Sequence, residues 1–163
     1  MPARFSLPTK GPPVPSFRGK LWFLSNFYPV HVHIGGIEFP TAEHAYVWFK
    51  VGCPEDFEAV LKMTPGKAKQ WGKTRAVEKW EGQSMTVMRD ILRFKFTQNL
   101  SLANRLLETN KQDLVERNNW HDLFWGVCMC QTHKGQGANH LGQLLREIKG
   151  ELSHDRSVLG GSW

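Results

Sequence analysis

Cysteine is scarce in this sequence, with three residues in a chain of 163. So few cysteines cannot form a disulfide framework for a chain of this length, which favours a reducing, cytoplasmic setting. Long hydrophobic runs are also missing. No window approaches 18 uncharged apolar residues, so we expect no membrane span. The N-terminal stretch lacks the continuous apolar segment of a secretory signal, so we expect no export by that route.

Acidic residues are outnumbered, because 21 Lys and Arg stand against 15 Asp and Glu, a formal net charge of +6. This excess indicates an anionic partner, such as a phosphorylated metabolite or a nucleic acid. A solvated basic surface accounts for the charge equally well. Hydrophobic residues make up 40 % of the chain, and 163 residues are enough to bury a core. The composition is therefore that of an ordinary globular protein.

The two ends of the chain differ in composition from the middle. Five of the nine prolines lie in residues 1–16, which we interpret as a flexible lead-in. The Gly- and Ser-rich residues 153–163 are interpreted as a flexible tail. Residues 17–152 contain no linker or repeat, so they are predicted to form one compact domain.

Hydrophobic spacing and capping signals predict a helix-rich α+β fold with a few short strands. The alternating "HVHIGGIEF" predicts a hairpin turning at two glycines. Thr41 is a predicted N-cap for a helix running to about Val51, Thr64 caps a second, and Ser101 caps a later one. Further helices are expected after Pro54, through the long pattern that begins near Gly82, and after the glycine-rich loop at 134–139. "DLVERN" and "LFWGVCM" are predicted strands.

The segment "FPTAEHAYVWFK", residues 39–50, holds a candidate catalytic pair. Glu43 and Lys50 are seven residues apart, so a helix places them on one face, roughly 10 Å apart along its axis, with Val47 between. A lysine among aromatic side chains can have a lowered pKa, which frees its amine as a nucleophile. The alternative is a surface ion-pair face, or Glu43 as a favourable charge in the first helical turn.

Three other segments contain polar residues that suit chemistry or binding. Asp122 precedes an aromatic run and Gly126, where an acid is either catalytic or simply part of a turn. "KGQGANHLG", residues 134–142, leads into a helix whose N–H groups suit a phosphate. "KQWGKTR" supplies Lys69, Lys73 and Arg75, which contact phosphates or are simply solvated.

The segment "CMCQTH" offers Cys128, Cys130 and His133 as possible metal ligands. The C-x-C spacing and the lack of a fourth ligand argue against structural zinc. Alternation along a strand places both cysteines on one face, so we expect a buried core role for them. No metal or cofactor is predicted.

Taken together, these segments resemble the NADAR family, which includes the YbiA-like proteins. The resemblance covers roughly Phe17 to Leu152 and rests on the order and combination of these strings: "FLSNFYP", "FPTAEHAYVWFK", "AKQWGKTR", "KWEGQSMTVMRDILRFKFTQN", "LLETNKQDLVERNNWHDLFWG" and "GQGANHLGQLL". The chain departs from the family at Trp48, where relatives often have a smaller polar residue, and at "VCMCQTH", which replaces a glycine-rich run.

The resemblance implies hydrolysis of an N-glycosidic bond. The substrate it implies is ADP-ribosylated guanine in DNA or RNA; the alternative is an early phosphorylated intermediate of riboflavin synthesis, and a non-catalytic ADP-ribose reader is a third possibility. It places Glu43 in the active site, makes Lys50 the nucleophile, and adds Trp80 and Asp122 to the catalytic set. The residues expected to bind substrate are Asn26, Phe27, His44, Lys73, Arg75, Trp125, Gly126, Gly137 and Asn139.

Overall fold

The computed structural model describes residues 17–75, 80 and 82–158. The described residues confirm a helix-rich α+β fold with a few short strands. They fall into two compact units, one formed by residues 26–100 and the other by residues 17–25 together with 101–158. The proline-rich residues 1–16, predicted to be a flexible lead-in, lie outside the described residues.

The unit of residues 26–100 begins with a hairpin. Strand β1, Val32–Ile34, pairs antiparallel with β2, Ile37–Phe39. Gly35 and Gly36 form the turn with φ of 58° and 79°, a combination that suits glycine because it carries no Cβ. The predicted hairpin is therefore confirmed, with its turn at the expected residues.

Four α-helices follow among the described residues of this unit: α1, Ala42–Val51; α2, Phe57–Lys62; α3, Pro65–Lys73; and α4, Ser84–Thr97. Thr41 and Thr64 cap α1 and α3 as predicted, each side-chain oxygen accepting a backbone N–H three residues on. A short 3-10 helix at Pro54–Asp56 precedes α2. The core contains Phe39 and Ile91, with Val47, Val60 and Ala68 in a second cluster.

The other unit contains a 3-10 helix at Gly19–Leu24, most of helix α5, Leu100–Glu108, and a 3-10 helix at Lys111–Asp113. Ser101 lies inside α5, so its predicted capping role is wrong. Strands β3, Arg117–Asn118, and β4, Val127–Cys128, pair in parallel over only two residues each. The strand predictions were therefore right in place but too long.

Helix α6, His140–Val158, ends this unit. Residues 153–158 are helical, which corrects their assignment to a flexible tail. The reason is tertiary, since Arg156 in the last turn donates to the side-chain oxygen of Asn104 in α5. Residues 159–163 lie outside the described part of the chain. None of the helices in the described ranges combines the length and the hydrophobicity that a membrane span requires.

Candidate functional site

Helix α1 carries the two predicted catalytic residues. Glu43 lies in its first turn, where the positive end of the helix dipole favours a carboxylate, and only 6 % of the residue is exposed. Its backbone N–H donates to the carbonyl oxygen of Asn26 at 3.0 Å. Lys50 lies half-buried in the last turn, and no hydrogen bond or ion pair engages its amine within residues 17–75, 80 and 82–158. The helix therefore presents a buried acid and an available amine about two turns apart.

Tyr46 links this helix to Trp80 and was missed by the sequence reasoning. The indole N–H of Trp80 donates to the Tyr46 hydroxyl at 2.9 Å, and the two rings meet edge to face with centroids 5.3 Å apart. Tyr46 is three residues after Glu43 and four before Lys50, so all three lie on one stripe of α1. This spacing was the signal that could have identified it. The structure thus brings Trp80 to the face that carries the acid and the lysine.

His44 has a structural position. It is buried, its Nε2 bonds the carbonyl oxygen of Met63 at 3.0 Å, and its Nδ1 bonds the Thr41 hydroxyl at 2.8 Å. Burial lowers the pKa of His44, and the hydrogen bond to Met63 partly offsets the effect. Because both ring nitrogens are engaged, we assign His44 to holding α1 in place, and its expected contact with substrate stays a prediction.

Asn26 and Phe27 lie just before the hairpin. The amide nitrogen of Asn26 donates to the Met88 sulfur at 3.4 Å, a weak partner. Its buried amide oxygen accepts no hydrogen bond from the described residues. A buried acceptor without a donor costs stability, so this oxygen suits a ligand that supplies the donor. Phe27 is half-buried, with the Lys69 amine 5.8 Å from its ring centroid.

Helix α3 is the basic element of this unit. It carries three lysines and no acidic residue, and Gly72 on its inner side packs against Val47 of α1. Lys73 is exposed in its last turn. Arg75 lies over the Trp71 ring, 4.2 Å from its centroid, and bonds the Trp71 carbonyl oxygen at 3.4 Å. The side chain of Arg75 therefore secures the end of α3, whereas Lys73 remains available to an anion.

Lys95 in α4 was not singled out from the sequence, unlike Lys50. It is fully buried, with its amine 5.8 Å from the Tyr28 ring centroid and 5.3 Å from that of Phe96. Burial lowers the pKa of Lys95 from 10.5 to about 7, because the apolar surroundings disfavour the charged form. Its position on the apolar stripe of α4, four residues after Ile91, was the available signal.

In the other unit, Asp122 closes a turn. One carboxylate oxygen accepts the backbone N–H groups of Phe124 at 3.1 Å and Trp125 at 2.9 Å. The Asp122 backbone N–H donates to the side-chain oxygen of Asn118 at 3.1 Å. The second carboxylate oxygen makes no hydrogen bond to the described residues. Asp122 thus acts in the turn while keeping one oxygen for another partner, so its predicted catalytic role stays a prediction.

At positions 126 and 137 the backbone packs so closely against other backbone atoms that only glycine fits. A Cβ at Gly126 would lie 2.3 Å from the carbonyl oxygen of Glu116, and one at Gly137 would lie 2.2 Å from that of Gly126. Separations this short exclude any side chain. The two predicted binding glycines therefore have a packing reason to be glycine.

The start of α6 uses its own N–H groups within the protein. The backbone N–H groups of Ala138, Asn139, His140 and Leu141 donate to carbonyl oxygens of residues 123–126. Asn139 is fully buried, with its amide oxygen accepting from the Glu116 N–H and its amide nitrogen donating to the Leu114 carbonyl oxygen. A phosphate would find these four N–H groups occupied. We therefore assign Gly137 and Asn139 to structure, in correction of the expected phosphate site.

The cysteine segment differs from its prediction. Cys128 is buried in β4 as expected, but Cys130 lies beyond the strand and is only half-buried. His121, a further side chain of the metal-binding type that the sequence did not point to, places its Nδ1 3.6 Å from the Cys130 sulfur. Partial burial acts to raise the pKa of Cys130, but hydrogen bonds from Cys128, His133 and Thr132 lower it to about 6. The prediction of a shared core role is thus wrong for Cys130.

Comparison with known proteins places this architecture in a structural class. The NMR structure of the Escherichia coli protein YbiA is similar to it, with a TM-score of 0.70 and 27 % sequence identity over 91 % of this chain and 88 % of that one. The model of the NADAR domain matches residues 17–153. The chain belongs to the NADAR family.

Two groups of relatives have informative names. N-glycosidase YbiA from Escherichia coli strain K12 is 32 % identical over 136 residues, covering 81 % of this chain and 82 % of that protein. N-glycosidase Npun_R5314 from Nostoc punctiforme is 32 % identical over 144 residues, covering 83 % and 88 %. Riboflavin biosynthesis protein VVA0006 from Vibrio vulnificus is 34 % identical over 135 residues, which is 80 % of this chain but 35 % of that protein. This chain therefore spans about a third of the last relative.

Proposed function

We propose that this protein is an N-glycosidase that hydrolyses the bond between ADP-ribose and a guanine base in nucleic acid. The observation that carries the proposal is a stripe on α1. Buried Glu43, Tyr46 with its bonded Trp80, and the Lys50 amine, which has no partner among the described residues, follow one another there. The relatives named N-glycosidase support the same class of reaction.

The charge distribution supports an anionic substrate. Helix α3 packs beside α1 and supplies lysines without any acidic residue, so positive potential lies next to Glu43 and Lys50. The net charge of +6 favours a polyanion such as nucleic acid over a small sugar phosphate. The pyrophosphate of ADP-ribose offers two charged groups for such lysines.

The chemistry follows from an acid and an amine on one face. The Lys50 nitrogen forms a bond to the anomeric carbon of the ribose while the bond from that carbon to the guanine nitrogen breaks. The electron pair leaves with guanine, and the proton that the Lys50 nitrogen then loses passes through the Glu43 carboxylate to guanine. Glu43 as a carboxylate also stabilises the oxocarbenium-like charge on the sugar. The glycosylamine on Lys50 opens to a Schiff base, which borohydride can trap, and water hydrolyses this Schiff base to release ADP-ribose and restore the lysine. Trp80 provides a flat face against the base or sugar.

A direct test uses a synthetic oligonucleotide ADP-ribosylated on guanine, with products read by mass spectrometry. We expect release of ADP-ribose by the wild type and only background release by Lys50→Ala. Lys62→Ala, which removes an exposed lysine of α2, is the matched control and should keep full activity. Borohydride reduction during turnover should add the sugar mass to the peptide that contains Lys50. Substantial turnover by Lys50→Ala would refute the covalent route.

The second candidate function is hydrolysis of an early phosphorylated riboflavin-synthesis intermediate. It is favoured by the similarity to the Vibrio vulnificus protein that is named for riboflavin biosynthesis. An untouched oligonucleotide together with a cleaved intermediate would select this function. If neither substrate is cleaved but ADP-ribose binds, the protein is a reader.

A further inference from the structure

Four metal-binding side chains converge in the unit that contains β3 and β4. They are His121, Cys128, Cys130 and His133, and their ligand atoms all lie within 4.8 Å of one another. The Nδ1 atoms of the two histidines are 3.2 Å apart. The Cys130 sulfur is 3.2 Å from the His133 Nδ1 and 3.6 Å from that of His121.

The three separations among His121, Cys130 and His133 are close to the edges of a tetrahedral zinc site. Zinc binds thiolate sulfur at about 2.3 Å and imidazole nitrogen at about 2.0–2.1 Å, so tetrahedral angles give about 3.3 Å between two nitrogens and about 3.6 Å between nitrogen and sulfur. A set of two sulfurs and two nitrogens in this geometry is typical of zinc. Three of the four ligand atoms therefore already have the spacing of a coordination sphere, and the Cys128 sulfur lies within 4.8 Å of each of them.

The backbone holds these ligands in place from two segments. Cys128 is fixed by β4 and by an exchange of backbone hydrogen bonds across the following turn, because its N–H donates to Gln136 and its carbonyl oxygen accepts from Gly135. The His133 N–H donates to the Cys130 sulfur at 3.4 Å, as backbone groups do around metal thiolates. His121 comes from the separate loop before β4. Its backbone φ is 66°, a conformation that residues other than glycine rarely adopt.

We propose that His121, Cys128, Cys130 and His133 form a closed structural zinc site. Four protein ligands fill a tetrahedron and leave no open position, which separates such a site from a catalytic one. Zinc there would join the loop at residues 119–126 to the turn at residues 128–133. Since Asp122 directly follows His121, the metal would also hold in place the turn that Asp122 closes.

The test starts from protein without a histidine tag, purified without chelator. Elemental analysis should find about one zinc per chain in the wild type, since structural sites bind tightly. Cys130→Ser and His121→Ala should each lose most of that zinc. Cys53→Ser and His154→Ala remove a thiol and an imidazole outside the cluster, and both should keep the full zinc content.

Two further measurements on the wild type test zinc binding even if a ligand variant fails to fold. Cobalt added to the metal-free wild type should give the strong visible bands of tetrahedral cobalt together with a thiolate-to-metal charge-transfer band. Zinc should slow amide hydrogen exchange in residues 119–136 and leave α1 unchanged. Folded wild type that binds no zinc, a cobalt spectrum without thiolate bands, or a Cys130→Ser variant with full zinc content would each overturn the proposal.

Discussion

Replacing buried Lys95 by methionine should change how stability depends on pH. In the folded protein burial lowers the pKa of Lys95 to about 7, whereas the unfolded chain keeps the ordinary value near 10.5. Between these two values the unfolded chain holds a proton that the folded protein does not. Unfolding therefore takes up a proton, and the free energy of unfolding of the wild type rises with pH across this window.

The size of this effect follows from the same two pKa values. Each pKa unit corresponds to about 1.4 kcal/mol, so burying the charged amine costs on the order of 5 kcal/mol below about pH 7. Lys95→Met is of similar length and carries no charge, so it does not incur this cost. The stability advantage of Lys95→Met over the wild type should therefore be largest near about pH 6, and smaller by about 2–3 kcal/mol at about pH 9.

Urea unfolding at both pH values measures this difference, and the effects of other titrating groups cancel between wild type and variant. Lys62→Met is the matched control, because the Lys62 side chain is 80 % exposed and should show no such pH dependence. If the difference between wild type and Lys95→Met is the same at both pH values, Lys95 is not buried as the structure has it.

Three further outcomes are expected. Gly137→Ala should lower the free energy of unfolding by at least about 3 kcal/mol, because the added Cβ would lie 2.2 Å from a backbone oxygen. Gly150→Ala is the control: its Cβ would lie in open space within α6, so it should raise the free energy of unfolding by about 0.5–1 kcal/mol, and thermal unfolding of both variants measures the two changes. Asn139→Ala should cost about 2–4 kcal/mol in urea unfolding, because it leaves two buried backbone groups without partners, and an unchanged midpoint would contradict this. Tyr46→Phe should reduce kcat/KM on the proposed ADP-ribosylated substrate while changing stability by only about 1 kcal/mol. Equal turnover by the two proteins would remove Tyr46 from the site.

Local signals in the sequence were sufficient for several elements. The glycine pair at residues 35 and 36 defined the hairpin, because both positions need positive φ. Thr41 and Thr64 marked the starts of α1 and α3, because a hydroxyl three residues before a free N–H is a local capping signal. The seven-residue spacing of Glu43 and Lys50 is nearly two helical turns, and it placed both residues on one face of α1. Each of these features depends on residues close together in the chain.

Features that depend on distant residues were not predictable. The end of α6 was placed too early because the partner of Arg156 lies on α5. The Gly-Asn entry to α6 resembled a phosphate site, and only the folded chain shows that carbonyl oxygens of residues 123–126 already accept those N–H groups. Tyr46 gained its importance from Trp80, 34 residues away.

The sequence by itself determined the helix-rich class, the hairpin, the capped helices and the family, since these rest on composition, on short-range spacing and on the order of motifs. The tertiary structure alone decided which polar groups remain available to a ligand. It engaged Asn139 and His44 with backbone partners, buried Lys95, and brought His121 to the two cysteines and His133. The physical reason is that hydrogen-bond satisfaction and metal-ligand convergence depend on groups that meet only when the chain folds.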